Sequence, residues 1–136
     1  MTLVDAGPLI ALIDAREPDH EVCVAVLDDL HLPLLTTWPV MTEAMHLVRR
    51  KTGWPGQERL WQLVLGGSVE IAAVDSAKTE RAATLMHKYR DRPMDLADAT
   101  LVAVGEARSV RQIFTLDRDF DVYRLHGRQM FQVLPS

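Results

Sequence analysis

MDLADATLVAVGE, residues 94–106, reads as a helix without a polar face. Leu96, Ala97, Ala99, Leu101, Val102 and Ala103 leave no solvent-facing stripe, and a helix that is apolar all round has to be covered. A helix over Asp95–Ala107, nearly surrounded by protein, is therefore predicted. Asp98 sits inside it. An ionised carboxylate on a buried face costs several kcal/mol unless something compensates it, so a cation is expected beside Asp98. The competing reading is an N-terminal capping arrangement with Asp95 as the cap and Asp98 three residues later. That box normally carries Glu or Gln at the later position, which favours Asp95 as cap and Asp98 as ligand.

The flanking segments alternate between strand and helix. Upstream, Ser76–Tyr89 is an amphipathic helix with Ala83, Leu85 and Met86 among its apolar positions, and Val69–Val74 is a strand rich in β-branched residues. Downstream, Gln112–Leu116 is a strand, followed by a turn or short helix through Tyr123 and a last strand over Met130–Leu134. Nearer the N-terminus, Thr2–Val4 and Leu34–Thr36 read as strands. Helices are expected over Leu9–Asp14, Asp19–Leu30 (apolar through Val22, Val26 and Leu30), Pro39 to about Lys51, and Gln57–Leu65. Such alternation implies parallel pairing with helices on both faces of the sheet. The expectation is an α/β fold of three α/β/α layers around a mostly parallel sheet of four or five strands, forming one domain over residues 1–136. Ligands of such folds gather beyond the carboxyl ends of the strands, at a switch in strand order.

Three further acids belong to that region. Asp5 follows the first strand and is compatible with either a helix cap or a crevice ligand. Glu43 lies one turn into the helix opened by Pro39, on one face with Leu47 and Arg50; a solvated residue favoured by the helix dipole is its competing role. Asp117 ends the strand Ile113–Leu116 within TLDRDF, and Asp119 and Asp121 follow it at two-residue spacing. No EF-hand is present, because its glycine and distal Glu are missing. Oxygen donors from three or four carboxylates suit Mg²⁺ or Mn²⁺. The five histidines show no zinc-like spacing, and no Gly-rich phosphate loop occurs.

Bulk properties add bounds. The chain has 136 residues, is 48% hydrophobic and carries a formal charge of −4, so global electrostatics does not advertise a nucleic-acid partner. Twelve of its 15 basic residues are Arg, which suits phosphate recognition and equally fits genome composition. Cys23 is the sole cysteine; it excludes an internal disulfide, fits a reducing cytosol and reads as a small core residue. No apolar run reaches the roughly 18–20 residues of a membrane span. A cytoplasmic location is expected. Trp38, Trp54 and Trp61 fall on or between neighbouring helices and suit either core packing or an interface.

Asp5 within LVDAGPLIAL, Glu43 within PVMTEAMHLV, Asp98 within LADATLVAV and Asp117 within TLDRDF resemble, in order and spacing, the four acidic motifs of PIN-domain ribonucleases. The likeness covers nearly the whole chain and is strongest to the small single-domain group that includes VapC-type toxins. It implies Mg²⁺- or Mn²⁺-dependent cleavage of RNA, frequent homodimers and, for toxins, a cognate antitoxin. By that resemblance Asp5, Glu43, Asp98 and Asp117 form the catalytic quartet, with Asp5, Asp98 and Asp117 on the metal. Thr115 matches the small polar residue before the last acid. Asp95 and Asp119 are supporting or alternative ligands, and Arg49, Arg50, Arg90, Arg92 and Arg118 are weak candidates for phosphate contact. A PIN nuclease of RNA processing with no antitoxin, and a non-catalytic PIN-like binding module, are the competing readings; four filled acidic positions disfavour the module. Phospho-aspartate proteins fit worse, since Asp5 has no acidic neighbour and Gly7 stands where their phosphatases need a second Asp.

Overall fold

The computed structural model describes all 136 residues. Five short strands form one sheet: β1 (Thr2–Val4), β2 (Leu34–Thr36), β3 (Val69–Ile71), β4 (Gln112–Phe114) and the C-terminal Gln132–Leu134, which is β7. Their order is β3-β2-β1-β4-β7, and every pairing is parallel. The chain therefore steps outward from β1 through β2 to β3, then returns to lay β4 on the other side of β1. Between these strands run α1 (Ala6–Ile13), α2 (His20–Asp28), α3 (Trp38–Thr52), α4 (Trp54–Leu65), α5 (Ser76–Lys88) and α6 (Leu96–Arg108). Helices α1 to α4 pack among themselves, and α5 packs on α6. Right-handed crossovers put helices of the two travel directions on opposite faces, which gives the three layers that alternation implied.

The central strands are buried on both faces, with Leu3, Val4, Ile113 and Phe114 fully enclosed, as parallel strands between helix layers must be. Helix α6 is buried continuously from Ala97 to Gly105. It lies so close to β1 that a Cβ on Gly105 would stand 3.0 Å from Leu3 Cδ1 and 3.0 Å from the Val110 carbonyl oxygen. A side chain there would force its neighbours to give way by a few tenths of an ångström.

Several boundaries differ from the sequence expectation. Helix α1 begins at Ala6 rather than Leu9, because Pro8 sits in its first turn, where a missing N–H leaves no bond unmade. For the same reason α4 opens at Trp54, ahead of Pro55, instead of Gln57. Strand β3 ends at Ile71; Ala72 still donates to the Thr36 carbonyl at 2.8 Å before the chain leaves the sheet. The last strand is divided. Gln129–Met130 (β6) pairs antiparallel with β5 (Arg124–Leu125), and buried Phe131 separates it from β7. On α5 Leu85 is buried as expected, but the buried alanine beside it is Ala82, with Ala83 exposed; on α2 the buried residue is Cys23, with Val22 turned outward.

Candidate metal centre

Strand order reverses at β1, between β2 and β4, and the carboxyl ends of β1 and β4 lie side by side, Val4 opposite Phe114. Asp5 follows the first directly; Asp117 follows the second after Thr115 and Leu116. Helix α6 brings Asp98 in its first turn, and α3 brings Glu43. One cavity of about 250 Å³ is lined by Asp5, Glu43, Asp95, Asp98 and Asp117 together with apolar walls from Ile10, Leu47 and Leu116. Side-chain oxygens of Asp5, Asp98 and Asp117 all lie within 4.8 Å of one another. Glu43 stands outside that trio, on an exposed turn at the rim.

Each aspartate is held by specific bonds. Asp5 accepts from the Ala6 N–H at 2.8 Å through Oδ1 and from the Thr115 hydroxyl at 2.9 Å through Oδ2. Thr115 Oγ1 in turn accepts from the Asp117 N–H at 3.0 Å, so one hydroxyl ties the two strand ends together. Asp117 caps the short 3₁₀ turn Arg118–Asp121 by accepting from the Asp119 N–H at 2.9 Å. Asp95 is the cap of α6 and accepts from the Asp98 N–H at 2.7 Å. Asp95 thus takes the cap expected of it, so Asp98 is not the capping residue. Asp98 is left free to point inward, where it meets one partner, the Tyr123 hydroxyl, donating to Oδ2 at 3.1 Å.

These bonds do not offset the concentration of negative charge. Asp98 is pushed up to about 8, first by burial and then by Asp5, Asp95 and Asp117. Burial also raises Asp5, against the Ala6 and Thr115 bonds that lower it, and raises Glu43, with Asp5 adding to the effect. No Lys, Arg, His or Cys lines the cavity. Hard oxygen donors from three chain segments, with no cationic side chain among them, match the ligand chemistry of Mg²⁺ or Mn²⁺ rather than zinc. A divalent ion would favour the ionised form of every one of these groups.

Other candidates fall outside the cavity. Asp119 faces away and pairs with Arg92 at 3.0 Å. Arg118 is occupied by Asp121 at 2.6 Å, and Arg90 donates to the His87 carbonyl at 2.8 Å. Arg49 and Arg50 are exposed near the end of α3. Sequence reasoning missed Tyr123, which is fully buried and stacks edge-on against Phe120 and Tyr89 at 5.1 and 5.0 Å. Its signal was a tyrosine beside an apolar anchor: a buried phenol needs a partner for its hydroxyl, but a sequence does not say which carboxylate supplies it.

Comparison with known proteins gives a consistent picture. The family model described as PIN domain matches residues 2–125. Ribonuclease VapC26 of Mycobacterium tuberculosis (strain ATCC 25618 / H37Rv) is 32% identical over 134 residues, which is 98% of this chain and 99% of that protein. The crystal structure of Mycobacterium tuberculosis VapC20, a Sarcin-Ricin loop cleaving toxin, superposes with a TM-score of 0.83 at 20% identity over 90% of this chain and 94% of that one. A toxin-antitoxin complex from Klebsiella pneumoniae gives 0.68 at 17% identity, covering 87% and 88% respectively. At these identities the two structures speak for the fold.

Proposed function

The chain belongs to the PIN-domain family, and we propose that it is a Mg²⁺- or Mn²⁺-dependent endoribonuclease, the toxin of a VapBC-type toxin-antitoxin pair. The observation that carries this reading is the convergence of Asp5, Asp98 and Asp117 within 4.8 Å in a cavity without a cationic side chain. A divalent ion held by these three would supply charge at the phosphoryl oxygens and make water a better nucleophile at neutral pH. The chain's own residues do the rest. Thr115 and Tyr123 fix the directions of Asp5 and Asp98, so the carboxylates need not reorganise. Ile10, Leu47 and Leu116 restrict bulk water on the inner side. Glu43, at the rim and with raised proton affinity, accepts the proton of the attacking water. Water oxygen adds to phosphorus and the bond to one ribose oxygen breaks; that oxygen takes a proton from solvent and leaves as a hydroxyl, and Glu43 returns its proton to solvent.

The same proposal takes residues 1–136 as one PIN-like domain in the cytoplasm. It includes RNA as substrate, a second copy of the chain as partner and a cognate antitoxin. A partner is supported by the exposed apolar stripe on α4, where Trp54, Trp61 and Leu65 are 59%, 36% and 80% exposed. Their spacing puts all three on one side of the helix. The buried free Cys23 fits a reducing compartment, and no helix is long and apolar enough to cross a membrane.

The test is incubation of purified protein with total bacterial RNA, followed by mapping of new ends. Cleavage that requires Mg²⁺ or Mn²⁺, stops with EDTA and is lost in Asp98→Asn, with the fold retained by circular dichroism, is the expected result. Undiminished cleavage by Asp98→Asn would refute the assigned site.

A further inference from the structure

A second concavity adjoins the acidic cavity and has a different character. It is an open groove of about 600 Å³ between the start of α3 and the start of α6, with Trp38, Pro39, His46 and Leu96 among its lining. Glu43 and Asp95 line both spaces and so form their shared wall. Trp38 is 54% exposed and Leu96 53% exposed, although each stands at the first position of a well-formed helix. Their backbones are fixed: the Trp38 carbonyl accepts from the Thr42 hydroxyl at 2.9 Å, and Leu96 follows the Asp95 cap. Two large apolar side chains are thereby held in water in the groove that adjoins the acidic cavity.

The charge around the groove restricts what fits it. Its two charged residues are both carboxylates and it contains no Lys or Arg, so a phosphate or an acidic peptide would be repelled. A flat, uncharged ring would not. Indole faces take nucleobases readily, because every base presents a π-face and stacking needs no particular hydrogen-bond pattern. Because Glu43 and Asp95 line both spaces, a strand with its phosphate among Asp5, Asp98 and Asp117 would bring a neighbouring base to this groove.

We infer that Trp38, with Leu96 in the same groove, is a stacking platform for the nucleobase neighbouring the scissile phosphate. This rests on the ribonuclease reading above and deepens it by assigning a residue that holds a base of the substrate. Trp38 acts as a positioning residue; the reacting atoms lie in the next cavity.

Binding of an unstructured, mixed-sequence RNA oligonucleotide is to be measured by fluorescence anisotropy in the Asp98→Asn background. A parallel probe carries the same backbone with abasic riboses. Trp38→Ala should weaken the base-bearing oligonucleotide roughly 5- to 150-fold and leave the abasic probe unchanged, while Trp38→Phe retains most of the affinity. In the wild-type background Trp38→Ala should raise KM for cleavage with kcat little altered. Equal affinity of Trp38→Ala and its parent for the base-bearing probe overturns the inference, as does an equal loss on both probes. A change confined to the oligomeric state in sedimentation overturns it too, by making the groove a protein interface. Metal-dependent cleavage by wild type alongside either result leaves the ribonuclease reading standing, whereas absence of cleavage removes both.

Discussion

Asp98 is where the chemistry and the stability of this chain meet. Folded and metal-free, it holds its proton up to about 8; unfolded, it releases it near its ordinary 3.8. Between those values the folded state binds the extra proton, so Asp98 makes the metal-free protein lose stability as pH rises through this window. The Tm without metal should therefore drop between pH 5 and pH 8, by a few degrees if the net effect is about 1 kcal/mol. Mn²⁺ favours the carboxylate and should restore the Tm most strongly at the alkaline end. Asp98→Asn should flatten the slope and raise the metal-free Tm at pH 8, while losing the Mn²⁺ response. Differential scanning fluorimetry across pH decides this, and a wild-type Tm that rises with pH without metal contradicts it. The residues behind the ligands have their own test. Tyr123→Phe and Thr115→Val each remove one hydroxyl bond to a proposed ligand, and about 10- to 100-fold weaker Mn²⁺ binding by calorimetry is expected of each. Thr115→Ser should keep most of it.

Helix α6 shows at the element scale how a buried acid is built into an apolar fold. Its cap, Asp95, satisfies the Asp98 N–H, and its glycine lets it lie against β1. Gly105→Ala should destabilise by about 1–3 kcal/mol in urea unfolding, because the new methyl meets the Val110 carbonyl as well as Leu3 and the backbone atom cannot step aside. An unchanged midpoint would show that the helix has slack. Much of this was legible from sequence. The unbroken apolar run of α6, the alternation of strand and helix, and acids directly after Thr2–Val4 and Ile113–Leu116 were enough for the parallel sheet and for the meeting of Asp5, Asp98 and Asp117. Boundaries set by tertiary contact were not. The split of the last strand at Phe131 depends on pairing with β5, and the outward turn of Val22 depends on which side of α2 meets α1. Tyr123 was missed for a related reason: a hydroxyl's partner 25 residues away leaves no periodic trace. The exposure of all three tryptophans also follows from packing that spacing alone does not encode.

At the scale of the molecule, an acidic protein has to bind a polyanion. The formal charge is −4 and the cavity is lined by carboxylates, so under the proposed function attraction to RNA would depend on a divalent cation and on local arginines. Arg50 shares a face of α3 with Glu43 and Leu47 and is exposed there. Arg50→Ala should weaken RNA binding similarly for all sequences and reduce the slope of log affinity against log salt by about 1; an unchanged slope removes it from the path of the phosphates. Topology makes the whole arrangement possible, since reversal of strand order at β1 opens the sheet where Asp5 and Asp117 emerge and lets α3 and α6 converge from either side. The most direct test is an anomalous difference map from crystals soaked in Mn²⁺. One strong peak within coordinating distance of Asp5, Asp98 and Asp117 is expected, absent in Asp98→Asn. A peak bound elsewhere, or none among these carboxylates at saturating Mn²⁺, would contradict the metal centre from which the function follows.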